Sequence, residues 1–259
     1  MLFTSYNFIL FLLVLFLLYY TIPRKYQWIL LLVASFVFYS FSGWDNVAYI
    51  TVTIVVTYLG AVKIGQLSRQ QEAWLKENRE SLSREEKKAY KEKIKSRQKK
   101  FLVLCLLFDL GILAVLKYTN FVISNINSIA RILNAGQLSF LDIALPMGIS
   151  FYTFQAVGYL VDVYRGKYPP EENPGKFALF VSFFPQLVQG PISRFDDLGK
   201  QLYEGHDFDA KNVSLGIQRI LWGFFKKLVI ADRILPAVRT ITQDPDTYQG
   251  IYVLVGMIF

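Results

Sequence analysis

The first 62 residues constrain the fold more than anything later in the chain. "LFTSYNFILFLLVLFLLYYTI" (Leu2–Ile22), "YQWILLLVASFVFYSFSGW" (Tyr26–Trp44) and "NVAYITVTIVVTYLGAV" (Asn46–Val62) are three apolar runs parted by a few residues. The first holds 21 residues, and as helix it covers roughly 30 Å, the thickness of a bilayer's hydrocarbon core. Because lipid offers no partner to a peptide group, such a run must satisfy its own backbone, as a helix does. The first run has neither a basic leader nor a small-residue cleavage site, so it reads as a retained span and not a removed signal. Tyr19, Tyr20, Tyr26, Trp28 and Trp44 gather at the run ends, where amphipathic rings favour headgroups.

Charge then orients these spans. The 259 residues are 53% hydrophobic and 16% aromatic, with a mean hydropathy of +0.33, too apolar for an ordinary soluble domain of this length. The net charge of +8 is nearly all in Lys63–Lys100, where thirteen Lys or Arg face six Glu. A basic chain can signal nucleic acid, a membrane surface or the cytoplasmic loops of a membrane protein. Here the basic block is clamped between apolar runs, so it reads as a cytoplasmic segment, and no nucleic-acid partner is expected. Arg24 and Lys25 agree with it, which places the N-terminus outside. The single cysteine, Cys105, allows no internal disulfide or thiolate cluster and reads as a small packing residue.

Ser83 and Glu86 have capping-box spacing and predict a helix starting near Arg84. Leu67, Trp74 and Leu75 share one helical face, which suits either a piece lying along the inner interface or a solvated charged helix. "FLVLCLLFDLGILAVLKYTNFVI" (Phe101–Ile123) reads as a fourth span, with Asp109 near its middle. An ionised carboxylate there costs about 2.5–3.5 kcal/mol on insertion scales, so Asp109 should face the protein interior, as a functional group or merely a paired one. Ile143–Arg165 is a fifth run, interrupted by Pro146 and Gly148, and Leu215–Val238 is amphipathic and basic. The final "GIYVLVGMIF" supplies ten apolar residues, about 15 Å of helix. That is too short to span, so the chain is expected to be the front part of a longer protein.

"FALFVSFFPQLVQGPISR" (Phe177–Arg194) starts as lipid-grade helix and is then broken by Pro185, Gly190 and Pro191. Irregular backbone at membrane depth is tolerated only inside protein or along a water-filled cavity. Gln186, Gln189 and Arg194 would be costly if they faced acyl chains. The preceding run repeats the pattern with Pro146, Gly148, Ser150, Thr153 and Gln155. Two broken segments in succession suggest a polar tunnel, with Gln155, Gln186, Gln189 and Arg194 as lining candidates. The alternative is a pair of dry proline kinks whose freed carbonyls are met by side-chain amides. Arg194 suits either an anionic group on a substrate or an anchor at the headgroups. No catalytic pair can be read from spacing, and no metal set is predicted. His206, the only histidine, sits in the polar loop "YEGHDFDAKN" and reads as a surface residue. The HExxH, GxSxG, phosphate-loop and dinucleotide motifs are all missing.

"LPMGISFYTFQAVGYLVDVYRGK" followed by "FALFVSFFPQLVQGPISRF" resembles the paired signature of membrane-bound O-acyltransferases, and most closely their bacterial alginate O-acetyltransferase-like branch. "LKYTNFVISNIN" (Leu116–Asn127) and the three opening spans also look like that branch, so the resemblance covers essentially the whole chain. It implies an all-α polytopic membrane helical bundle with broken or re-entrant segments, truncated before the catalytic half. It further implies an enzyme that moves an acyl group, acetyl by branch likeness, from a cytoplasmic thioester such as acetyl-CoA to a hydroxyl of a cell-envelope or exported polysaccharide. A sibling branch passes D-alanyl groups towards teichoic acids. The resemblance implies a multi-pass protein of the bacterial cytoplasmic membrane, membrane lipid around it, and periplasmic or secreted companion proteins. It implies no bound cofactor. The family's catalytic histidine, a general base, is expected beyond Phe259, since His206 matches neither its position nor its surroundings. The piece alone is therefore expected to be inactive. A membrane transporter, which also uses broken helices around midplane polar groups, and a noncatalytic membrane remnant are the competing readings.

Overall fold

The computed structural model describes residues 3–78, 83–133, 136–142, 145–187, 190–244 and 246–258. Their regular structure is all helix, with no strand among the described residues, as the apolar runs demand. The chain divides into two compact units, Val14–Gly205 and a second that joins the first residues to His206–Phe259.

The first two apolar runs form helices α1 (Tyr6–Thr21), whose first half belongs to the second unit, and α2 (Arg24–Ser40), in the first. Proline at position 23 stands just outside α2, where its missing N–H costs nothing. Helix α3 then runs from Trp44 to Glu77 and α4 from Arg84 to Ile132. Both are long and apolar enough to cross a membrane. At 34 and 49 residues they extend about 51 and 73 Å, well past the roughly 30 Å a membrane span needs.

Leu67, Trp74 and Leu75 stand on the last part of α3, whether that part lies along the interface or in solvent. That helix does not stop at Val62, because no proline follows until Pro146 and Lys, Glu, Gln and Arg continue a helix as readily as Leu does. The basic block is thus the adjoining ends of two long helices. Ser83 caps α4 as its spacing predicts: its Oγ accepts from the Glu86 N–H, and the Glu86 carboxylate accepts from the Ser83 N–H.

Helices α3 and α4 pack on each other and on α5 (Ile149–Arg165). Lipid supplies no hydrophobic drive between spans, so small residues and hydrogen bonds set the contact. Gly60 leaves room only for the Cys105 thiol opposite, so a methyl group there would collide with it. Cys105 is the small buried residue its position suggests. The Gln98 side chain donates to Ile64 O (3.2 Å) and Ser68 Oγ (2.8 Å), and Trp74 stacks on Tyr90 at 3.8 Å. Asp109 does face inward. It is 1% exposed and accepts from Thr57 Oγ1 at 2.8 Å.

The broken region follows as α6 (Pro174–Ser182), the single turn α7 (Phe184–Leu187) and α8 (Phe195–Tyr203), with α2 packed along α6 and α7. In the second unit the amphipathic stretch forms α9 (Ala210–Phe224), a π-helical turn (Phe225–Ala231) and α10 (Asp232–Gln243), with Pro236 inside α10. It is longer than the predicted 215–238, since Asp209 caps α9 through the Lys211 and Asn212 N–H groups. None of the described side chains in these three elements is buried. The last apolar run forms α11 (Ile251–Ile258).

Candidate functional site

Both predicted breaks are real, and each has a local cause. In the first, Pro146 and Met147 form a turn and Gly148 takes a left-handed conformation at φ 71° before α5 begins. The fifth run is therefore helical only from Ile149. A side chain on Gly148 would strike the carbonyl oxygen of Leu187, so the first break is seated against the second. In the second, the helix ends one residue before α7, at Phe183 (φ −55°, ψ 105°). Pro185 then occupies the first turn of α7, where no N–H is needed. From Gly190 to Arg194 the chain is non-helical, as Gly190 and Pro191 dictate.

Broken helices leave backbone groups without partners, and α2 supplies two of them. The Tyr39 hydroxyl donates to Met147 O at 2.6 Å, and Ser35 Oγ accepts from the Phe184 N–H at 3.3 Å. Gln155 Nε2 donates to Phe180 O at 2.9 Å. These contacts are the amide-capped kinks of the dry alternative, and they hold at the centre of the breaks. Neither Tyr39 nor Ser35 was legible as a cap, since α2 reads as a plain span.

Beside the breaks lies a cleft of about 300 Å³ lined by Gln155, Tyr159, Asp162, Tyr168, Ser193 and Arg194, with Phe195 at its base. Two sequence candidates, Gln155 and Arg194, thus come together on one wall. Gln155 is 6% exposed, with its amide nitrogen held by the α6 carbonyl. Arg194 is exposed and pairs with no carboxylate among the described residues. Gln186 lies behind this wall: its Nε2 donates to Ser193 Oγ at 2.8 Å, and its Oε1 is buried without a partner. Gln189 lies outside the described residues.

Sequence reasoning missed the other members. Lys167 bridges Asp196 at 2.6 Å and Asp162 at 3.7 Å, tying α8 to the end of α5. The Lys167 ammonium, by donating to Asp196, holds that carboxyl below its ordinary range. The Tyr168 hydroxyl donates to Asp162 at 3.4 Å, and burial, with the carboxylates beside it, pushes that hydroxyl up. Phe195 packs on Tyr159, Phe180 and Tyr168 at 4.9, 5.1 and 5.3 Å. The Tyr159 hydroxyl accepts from the Glu171 N–H at 2.8 Å. The signal available for these residues was a run of aromatics at helical spacing, which reads equally well as core.

Chemically, the cleft offers a cation, amide and hydroxyl groups and aromatic walls. It can hold and orient a polar guest. Among the described residues its lining contains no histidine or cysteine.

No protein-family profile matches the chain, and no solved structure matches it. Curated sequences do. The chain is 35% identical over 239 residues to a probable alginate O-acetylase of Azotobacter vinelandii, covering 91% of this chain and 42% of the relative. It is 34% identical over 235 residues to a probable alginate O-acetylase of Pseudomonas syringae, covering 90% and 40%. A peptidoglycan O-acetyltransferase of Helicobacter pylori is 30% identical over 228 residues, covering 78% and 38%. The chain spans about two-fifths of the length of these relatives.

Proposed function

We propose that this chain, which is 34–35% identical over nine-tenths of its length to two probable alginate O-acetylases, forms part of a polytopic membrane enzyme of the membrane-bound O-acyltransferase family. That enzyme transfers an acetyl group from a cytoplasmic thioester donor to a hydroxyl of a cell-envelope or exported polysaccharide. The observation that carries this reading is the polar cleft shared by α5 and the second broken segment, in a chain whose relatives are named for O-acetyl transfer.

Positive-inside accounting puts the basic ends of α3 and α4 in the cytoplasm. Because α5 ends at Arg165 and meets Lys95 of α4, whose Nζ donates to Tyr164 O at 2.9 Å, the cleft opens on that side. In this arrangement Arg194 faces an anionic part of the donor, Gln155 and Ser193 hold its polar groups, and the aromatic wall excludes water from one flank. Tunnel lining by Gln186 and Gln189 extends the same reading. No general base is assigned within the chain. His206 is a polar-loop residue outside the cleft, so residues 1–259 alone are expected to turn nothing over.

Membranes containing a full-length protein that includes residues 1–259, supplied with radiolabelled acetyl thioester and acceptor polysaccharide, test the proposal. Label appearing in ester linkage on the polysaccharide supports it. Label crossing sealed vesicles unchanged identifies a transporter instead and ends the transferase reading.

A further inference from the structure

Of the three asparagines in "LKYTNFVISNIN", none of which the cleft uses, Asn120 and Asn127 do something specific. Asn127 Nδ2 donates to Leu138 O at 2.9 Å while Asn127 Oδ1 accepts from the Leu138 N–H at 2.8 Å. Asn120 repeats the pair on Leu141, donating at 2.8 Å and accepting at 3.0 Å. Each side-chain amide thus stands in for one rung of a strand. The spacings agree. Seven residues of α4 rise about 10.5 Å, and three residues from Leu138 to Leu141 reach about 10 Å only when the chain is extended. Residues 136–142 therefore run back along α4 as an extended strap, antiparallel to the helix.

Depth gives the strap its meaning. Asn120 lies inside the apolar run that ends at Ile123, and Asn127 lies one turn beyond it, at the end of α4 remote from the basic block. Non-helical backbone at this depth needs protein partners for its polar groups, and the two amides supply them to Leu138 and Leu141. The strap's own side chains point elsewhere: Leu138, Phe140 and Leu141 are 53%, 60% and 50% exposed. They are apolar and exposed, as are Phe121, Ile126 and Ile129 of α4. Between Gly136 and Leu141 the strap carries no charge, and Asp142 ends it.

We propose that residues 136–142 are a membrane anchor, an extended strap held against α4 by Asn120 and Asn127, with Leu138, Phe140 and Leu141 set among lipid chains at the bilayer interface. The proposal rests on α4 being a membrane span, and its test checks that separately. A nitroxide is placed at Phe140→Cys in a Cys105→Ser chain reconstituted in phosphatidylcholine–phosphatidylglycerol vesicles. Matched labels at Phe121→Cys and Lys99→Cys mark the span and the basic end. The expected result is a ratio of oxygen to nickel-chelate accessibility at Phe140 that matches Phe121 and exceeds Lys99 several-fold.

A ratio at Phe140 equal to that at Lys99 places the strap in water and overturns the proposal. Low accessibility to both reagents means that protein covers the strap, which overturns it equally. A water-like ratio at Phe121 removes the span itself. Replacing Asn120 and Asn127 together by alanine should free the strap and raise chelate access at Phe140. Unchanged access in that variant overturns the clamp.

Discussion

Two glycines with nearly the same backbone hand separate conformational strain from crowding. Gly148 (φ 71°) and Gly166 (φ 76°) both adopt the left-handed region, where an L side chain costs roughly 1–2 kcal/mol. A methyl group on Gly166 meets nothing within 4 Å, whereas one on Gly148 strikes Leu187 O. Gly166→Ala should therefore lose only the backbone cost in thermal unfolding in detergent. Gly148→Ala should lose clearly more and loosen the two breaks together; equal losses would remove the contact between the breaks as an explanation. Asp196 offers a pH reading. Lys167 holds its carboxyl low, so the stabilisation is present above the ordinary carboxylate range and vanishes as pH falls through the depressed folded value. Wild type and Lys167→Gln should differ in unfolding temperature at neutral pH and converge in acid. A gap that persists unchanged in acid assigns Lys167 some other role. Gly148 was legible as a breaker from sequence alone. Lys167 was not, because its partners sit on two different helices and no local spacing records that.

The longest elements show where sequence patterns lose their grip. Ser83 and Glu86 fixed the start of α4 to the residue, because a capping box is a local chemical device. The far ends of α3 and α4 were not legible as continuous helix, since hydropathy marks where lipid stops and not where a helix does. Beyond the membrane edge these two helices are held by contacts such as the Trp74–Tyr90 stack. A double-mutant cycle of Trp74→Ala and Tyr90→Ala, read by unfolding, should return a coupling of about 0.5–1.5 kcal/mol. Additive losses would mean that the hairpin is held by its backbone capping and by Gln98 instead. The broken elements were legible as broken, yet the groups that cap them were not. Ser35 and Tyr39 lie far upstream in a run whose composition says only that it spans.

For the molecule as a whole, the capped breaks and the polar cleft are two neighbouring features with different demands. At the breaks, Tyr39, Ser35 and Gln155 meet the freed backbone without help from water. A short way off, Asp162, Tyr168, Ser193 and Arg194 surround a cleft that aromatic and aliphatic residues alone would have closed. A route for a thioester needs the second feature, while a stable bundle in lipid needs the first. Single cysteines at Arg194, Gln186 and Gln155, in a Cys105→Ser chain in native membranes, should therefore react with a charged thiol reagent in that order. Arg194→Cys should react fastest, because the residue is exposed in the cleft. Gln186→Cys lies behind Ser193, and Gln155→Cys is buried but on the lining wall. Phe180→Cys, at 0% exposure, sets the floor. If acetyl thioester occupies the cleft, it should slow labelling at Arg194→Cys and leave a cysteine at Lys99 unaffected. Labelling of all three sites at the Phe180 rate would make the cleft a closed packing defect, and the donor would need another way in.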